Sequence, residues 1–427
     1  MKILILNTSE LTGGAAVAAN RLMKALRKSS EVDVRMLVRD KKTNDPDVIS
    51  LNASFISKKV NFIRFVWERI IIFLCNHFRR DTLFQVSIAN TGIDICSHPL
   101  VQEADIIHLH WINQGFLSLK DIKKLTQLGK PIVWTMHDMW PCTGICHYSY
   151  GCESFMQECG NCLFLNSKKK KDLSYRVFQR KSFLSTSNIH LVTVSSWLKG
   201  LAQKSRLTEK LPISVIPNVI DTHIFSFSDK INARKELFLP LDKKIILMGA
   251  ARINDPIKGF TYLHQALSIL KEKNKEASSQ IVLVLFGAVK GDDSFLQELP
   301  VSCVSMGYLG DALKIARLYA AANIVVVPSL YETFGQTLIE AMACGCPAVS
   351  FDNSGQTDII DHLDNGYLAK YKDVEDLAFG IQWALDNYDK PGMAESCIKK
   401  VQLHYQESVI AEKYIALYQR LYDSFNE

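Results

Sequence analysis

Ile324-Val325-Val326-Val327-Pro328-Ser329-Leu330-Tyr331-Glu332-Thr333-Phe334-Gly335-Gln336-Thr337-Leu338-Ile339-Glu340-Ala341-Met342-Ala343-Cys344-Gly345 is the stretch on which the fold turns. A β-branched run ending at a proline reads as a short, fully buried strand. Gln336–Cys344 then takes up helical spacing, with Gly335 at the point where the helix begins. A buried strand, a loop and a helix are half of a βαβ unit, the building block of a parallel sheet covered on both faces. At such a junction the free N–H groups near Phe334-Gly335 and the positive dipole end face an anion, naturally a phosphate. Gly335 lets the backbone come close. Glu340, about a turn and a half further in, can accept two hydrogen bonds from a ribose diol, and Glu332 in the loop can do the same for sugar hydroxyls.

Outward from this stretch the same alternation repeats. On the N-terminal side, Lys2–Leu6, Val34–Val38, Asp105–His110, Pro131–Met136 and His190–Ser195 are strand-like, and a helix runs from near Ala15 to about Lys28. The pattern restarts at Lys244–Ala250, Ile281–Gly287, Val301–Met306, Ile324–Pro328 and Pro347–Phe351. Helices fit at Gly259–Lys273, Asp311–Ala322, Gln336–Cys344, Val374–Asn387 and Ser408–Ser424. This predicts two doubly wound α/β units, with a junction near Pro212–Asp221 and a ligand cleft between them. Residues 55–85 stand apart, aromatic and aliphatic residues interrupted by Arg64, Arg69, Arg79 and Arg80. Such a helix can lie in a membrane interface. Because Ile70–Leu74 is apolar on every side, a core helix packed on the sheet is the expectation.

The chain has 427 residues, 48% hydrophobic and 22% charged, which excludes overall disorder. No apolar run is long enough to span a bilayer, and Met1–Asn7 lacks the features of a signal peptide, so a cytosolic chain is expected. Residues 1–218 hold 30 Lys and Arg against 17 Asp and Glu, and the remainder 20 against 27. Opposite signs fit two domains, the first facing something anionic.

Arg252 and Lys258 lie in Gly249-Ala250-Ala251-Arg252-Ile253-Asn254-Asp255-Pro256-Ile257-Lys258-Gly259, just after the first strand of the second unit. A guanidinium fork and an ammonium at a strand end can clamp a diphosphate. Gly13-Gly14 follows the first strand of the chain. His110 and His137 end two other strands, where an imidazole can be a sugar ligand or an acid/base. Asp292-Asp293 lies in a polar loop and reads as solvated. There is no Asp-x-Asp motif of the type used by metal-dependent transferases, and no P-loop, Gly-x-Gly-x-x-Gly or Gly-x-Ser-x-Gly. ATPase, dehydrogenase and serine hydrolase chemistries lose their main support.

The Glu332-x₇-Glu340 string, with Thr333-Phe334-Gly335 inside it and Arg252 and Lys258 upstream, resembles the family-4 (group 1) retaining glycosyltransferases of the GT-B fold, over essentially the whole chain. The resemblance implies two Rossmann-like domains facing a central cleft. Residues 1–217 would form the acceptor side, 218–404 the nucleotide-sugar side, and 405–427 a helix returning to the first domain. Pro217–Asp221 matches the interdomain segment. It implies donor contacts from Gly13, Gly14, Arg252, Lys258, Glu332, Thr333, Phe334, Gly335 and Glu340. Of these, Arg252, Lys258 and Glu332, together with His137, would serve the reaction. His110 is an acceptor-side candidate. The expected donor is a UDP- or GDP-sugar. The expected acceptor is a glycan or lipid-diphosphate-linked sugar of a polysaccharide or lipopolysaccharide pathway, with peripheral contact to an anionic inner membrane face and no role for nucleic acid. No cofactor is expected for catalysis. A nucleotide-sugar epimerase or a non-catalytic nucleotide-sugar-binding protein is the alternative. At Asn353-Ser354-Gly355-Gln356-Thr357-Asp358 the chain departs from the family, which more often has Gly-Gly and then Glu, so sugar selectivity is open.

Five of the eleven cysteines fall between Cys142 and Cys162. Cys146, Cys152, Cys159 and Cys162 form a quartet suited to a structural zinc, with His147 as a substitute ligand. A similar cysteine-rich insert occurs in one branch of the family. Cys344 and Cys346, flanking Gly345, read as core packing.

Overall fold

Hydrophobic runs too apolar for a one-faced sheet pair side by side and in parallel, and each sheet reverses its strand order once. A computed structural model describes residues 1–167, 169–291 and 293–427, so Asp292 of the Asp292-Asp293 pair lies outside the described residues. The chain divides into one unit of Met1–Pro217 with Ile410–Glu427 and a second of Asn218–Val409. In the first, β1 (Lys2–Ser9), β2 (Asp33–Asp40), β3 (Val48–Ser50), β4 (Ile106–Leu109), β5 (Ile132–Met136), β6 (Ile189–Thr193) and β7 (Ile213–Val215) pair in the order β3-β2-β1-β4-β5-β6-β7, all parallel. In the second, β8 (Lys244–Arg252), β9 (Ile281–Ala288), β10 (Ser302–Ser305), β11 (Ile324–Val327), β12 (Ala348–Phe351) and β13 (Gly366–Ala369) pair in the order β10-β9-β8-β11-β12-β13, again all parallel. Both follow the dinucleotide-fold order, with switch points at β1/β4 and β8/β11.

The core of the second unit is built on Ile246, Leu283, Val326 and Val349, with Leu263 and Leu267 from the helix Phe260–Lys273 and Leu377 and Ile381 from Val374–Asn387. Cys344 and Cys346 are buried there. The closing helix Glu407–Asn426 keys its tyrosines into the first sheet. The Tyr418 hydroxyl lies 2.7 Å from His108 Nδ1, and Thr135 Oγ1 joins Tyr414 (2.9 Å) to His108 Nε2 (2.8 Å). Burial, and then the neighbouring His137, push the His108 imidazole down to about 3, so the network is neutral at pH 7.

One expectation is overturned. The helix Phe55–Cys75 forms, capped by Ser54, but it is no core helix: its buried residues are Asn61, Glu68, Arg69 and Ile72, while Ile56, Phe62 and Ile63 are exposed.

Tyr418→Phe strips a buried imidazole nitrogen of its partner. It is expected to lower the unfolding free energy by about 1–3 kcal/mol in urea denaturation, with the folded-state circular dichroism unchanged.

Candidate functional site

In the second unit, β8 and β11 are neighbours whose following segments part at the carboxyl edge, which opens a crevice there. Arg252 stands at the end of β8 beyond a strand irregularity at Gly249–Arg252. It is exposed and in no ion pair among the described residues. Asp255 caps the turn Pro256–Lys258 by accepting from the Ile257 N–H (3.2 Å). Gly259 has φ +71°, and a Cβ there would fall 1.8 Å from the Pro328 carbonyl oxygen, so glycine alone lets this turn lie against the end of β11. The Leu330 N–H donates to the Ile257 carbonyl (2.8 Å) and ties the two loops together. Lys258 Nζ is thereby brought 2.7 Å from Glu332 Oε2, a partly buried ion pair.

The loop after β12 braces Glu332 from its other side. The Gly355 N–H donates to the Glu332 carbonyl (2.8 Å), and Ser354 Oγ accepts from the Glu332 N–H (3.3 Å). Thr333 is buried. Phe334 is buried edge-on to Tyr405, so its side chain faces the core and its backbone borders the loop. Gly335, at φ +120°, starts the helix Gln336–Ala343. Glu340 accepts from the Tyr319 hydroxyl (3.2 Å). Burial, reinforced by the charge of Glu340, holds the Tyr319 phenol well above its ordinary range and keeps it a donor. Tyr319 belongs to the helix Ala312–Ala321, and nothing in its sequence neighbourhood marks it.

In the first unit, Gly13 (φ +93°) precedes the helix Gly14–Leu26 with open space around it. His110 follows β4 and His137 follows β5. Their Nδ1 and Nε2 atoms are 2.8 Å apart. Burial pushes His137 down to about 4, and burial with His108 and His137 as neighbours takes His110 well below the ordinary range. Both are neutral at pH 7. Beside them, burial raises the Asp138 pKa, but His147 Nδ1 (2.6 Å), the Trp140 N–H (2.8 Å) and the Trp111 indole N–H (2.9 Å) outweigh it, and the carboxyl titrates below its ordinary range. Asp45-Pro46-Asp47 is an Asp-x-Asp string, which corrects the absence read from the sequence. Both its carboxylates pair with Arg27, at 2.9 and 2.7 Å.

Cys146, Cys152, Cys159 and Cys162 all line one small pocket with Phe155 and Phe164. Among the described residues no three His, Cys, Asp or Glu side chains form a metal-holding group. Cys159 Sγ instead accepts from the Gly144 N–H (3.2 Å). The substitute-ligand role for His147 fails, since its second nitrogen lies 3.1 Å from Ser87 Oγ. The loop is pinned from below by Lys181, fully buried, whose ammonium donates to the carbonyls of Trp140 (2.6 Å) and Thr143 (3.0 Å) and sits over the Trp140 ring.

Residues 229–403 match the family model described as glycosyl transferases group 1, and residues 12–224 the one described as glycosyltransferase family 4. An uncharacterized glycosyltransferase of Methanocaldococcus jannaschii is 27% identical over 78% of this chain and 89% of its own length. A D-inositol 3-phosphate glycosyltransferase of Stackebrandtia nassauensis is 31% identical over 48% of this chain and 47% of its own. An N,N'-diacetylbacillosaminyl-diphospho-undecaprenol alpha-1,3-N-acetylgalactosaminyltransferase of Campylobacter jejuni is 30% identical over 44% and 49%. The last two matches span about half of each relative. Among solved structures, a sucrose-phosphate synthase from Thermosynechococcus elongatus superposes with a TM-score of 0.68 at 21% identity over 99% of both chains. WaaG, a glycosyltransferase involved in lipopolysaccharide biosynthesis, gives 0.62 at 16% over 97% and 99%. Anabaena HepE in complex with UDP-glucose gives 0.61 at 18% over 98% and 99%. At these identities the likeness is one of fold, and it is GT-B.

Burial pushes the Lys181 ammonium down from 10.5 to about 7. Between those values the unfolded chain holds a proton that the folded chain has released, so this group adds stability as pH rises from about 7 toward 10.5. Urea denaturation across that range is expected to give a steeper rise for the natural chain than for Lys181→Met, and parallel curves would contradict it.

Proposed function

The chain belongs to the group 1 glycosyltransferases of the GT-B fold, and on that premise we propose that it is a retaining enzyme that moves a sugar from a UDP- or GDP-sugar to a glycan or lipid-diphosphate-linked acceptor. The observation that carries this is the pairing of Lys258 with Glu332 at the β8/β11 crevice, with Arg252 at the end of β8, the Gly335 helix start after the Glu332 loop and Glu340 further along that helix. This arrangement suits a nucleoside diphosphate joined to a sugar. Arg252, Lys258 and the Gly335 helix start would receive the diphosphate. Glu332 would receive the sugar, and Glu340, braced by Tyr319, the ribose. An ammonium has three N–H groups, so Lys258 can keep its contact with Glu332 and still donate to phosphate.

In the reaction the acceptor oxygen bonds to the anomeric carbon as the bond from that carbon to the diphosphate oxygen breaks. The acceptor proton passes to the departing diphosphate. The protein's task is then to stabilise the charge on the leaving group, the role of Arg252 and Lys258. His137, held neutral and oriented by His110, is a hydrogen-bonding group for the sugar, and Gly13-Gly14 is a backbone contact for phosphate or acceptor. The relative named as acting on a diphospho-undecaprenol sugar supports a lipid-diphosphate acceptor and with it a cell-surface glycan pathway.

Saturation-transfer NMR with a panel of UDP-, GDP- and ADP-sugars tests the donor site. One donor class is expected to bind, with binding lost in Lys258→Ala and weakened in Glu340→Ala. With an acceptor in hand, Arg252→Ala is expected to lower kcat/KM by about a hundredfold or more, and the product to carry the donor's anomeric configuration by NMR. No binding across the panel would point to a rarer donor or a decayed site, donor binding without transfer to any acceptor would favour the non-catalytic binding protein, and donor turnover without an acceptor would favour an epimerase. Cys146, Cys152, Cys159 and Cys162, which line one pocket without forming a metal-holding group there, would be the donors of a structural zinc, which would have to draw the thiols together. Elemental analysis of purified protein is expected to return about one zinc per chain, and metal-free folded protein would leave packed thiols.

A further inference from the structure

The helix Phe55–Cys75 has its polarity turned inside out. Ile56, Val60, Ile63, Trp67, Ile70 and Leu74 recur at spacings of four and three, so they share one face, and all six are exposed, from 40% at Ile70 to 74% at Ile56. Phe55 and Phe62 widen that face. The opposite face holds Glu68, with no exposure, and Arg69.

These buried charges fix the rotation of the helix. Glu68 Oε1 accepts from the N–H groups of Ile88 (2.8 Å) and Ala89 (2.9 Å), and its other oxygen pairs with Arg69 at 3.0 Å. Arg69 Nη1 donates to the carbonyls of Leu83 and Val86. Rolling the apolar face inward would expose this network and leave the backbone N–H groups of Ile88 and Ala89 unpaired in the interior, which is costly. The outward apolar face is therefore built in. Contiguous exposed apolar surface of this kind marks an interaction site.

Charge identifies the occupant. Glu68 is the one acidic residue of residues 55–80, and it is buried. Every outward charge of that segment is basic, including Lys58, Lys59 and Arg80, and the first acidic residue beyond it, Asp81, is paired with Arg79. A second copy of the helix would set these like charges together. No helix of the described residues is long and apolar enough to cross a membrane, so the segment does not span. An apolar face about 30 Å long bordered by basic residues and bearing Trp and Phe is the pattern of a helix lying in a bilayer interface. We propose that Phe55–Cys75 docks this protein on an anionic lipid bilayer, with the Ile56–Leu74 stripe at the acyl boundary and Lys58, Lys59 and Arg80 among the headgroup phosphates. The proposal adds a partner to the transferase and does not depend on its chemistry.

Vesicle flotation of the full chain tests it. The protein is expected to float with phosphatidylcholine vesicles containing phosphatidylglycerol, weakly with phosphatidylcholine alone, and less as salt rises. Ile63→Ser/Trp67→Ser/Ile70→Ser is expected to cut the bound fraction by more than about tenfold, with circular dichroism and melting unchanged because all three side chains are exposed. Brominated lipid is expected to quench more fluorescence in the natural chain than in Trp67→Phe, a reading that needs no destabilising change. Absence of flotation with anionic vesicles, or equal flotation by the triple variant, overturns the proposal. So does a dimer in sedimentation velocity that the triple variant disperses while vesicles go unbound, which would assign the face to a second copy.

Discussion

The reversal of strand order in each sheet is the constraint on which the site depends. Once β8 and β11 lie side by side with their connections leading to β9 and β12 on opposite sides, the segments after them must part, and the gap at their carboxyl ends cannot be closed by the sheet itself. What converts a gap into a site is the tie across it. Gly259 admits the Pro328 carbonyl, Leu330 bonds to Ile257, and Lys258 meets Glu332. A side chain at position 259 would push the loops apart, and the ammonium and carboxylate, separated by 73 intervening residues in sequence, would lose their common position.

The fold was legible where strands are long and fully buried. β1, β8 and β9 are continuous hydrophobic runs, and such runs signal parallel pairing without any tertiary information. β3 and β7 have three residues each and are largely half-exposed, so neither length nor apolarity distinguishes them from loop. The carboxylates and cations of the candidate site were likewise legible as residue types at a spacing. Their mutual pairing was not, because an ion pair between Lys258 and Glu332 is a property of two loops meeting. Tyr319 was illegible for the same reason: a tyrosine at one helical position reads as core until Glu340 arrives beside it.

The helix Phe55–Cys75 misled the sequence argument for a more instructive reason. Hydrophobicity says that a face will be withdrawn from water, but not into what. Arg69 reads in the sequence as one interruption of an apolar helix, and Glu68 beside it carries no signal of its own. They are its anchor, since they bond to backbone groups of Leu83, Val86, Ile88 and Ala89. That segment continues into Val86, which bridges Cys146, and Ser87, whose carbonyl accepts from the Trp140 indole. The cysteine loop, the Asp138–His147 pair and the outward helix thus share one backbone scaffold.

Charge then separates what the two units do. The basic excess of the N-terminal half invites the idea of a phosphate clamp there. Yet the polar groups gathered at the ends of β4 and β5 are His110 and His137, both neutral at pH 7, with His108 neutral behind them and the low-pKa carboxyl of Asp138 beside them. The excess is instead carried by surface residues such as Lys58, Lys59 and Arg80. The C-terminal half is acidic in sum, but places Arg252 and Lys258 at its crevice. Net charge reports on the surface a domain presents, while a few positioned cations decide what its site holds. An N-terminal unit that is basic outside is suited to meeting an anionic surface.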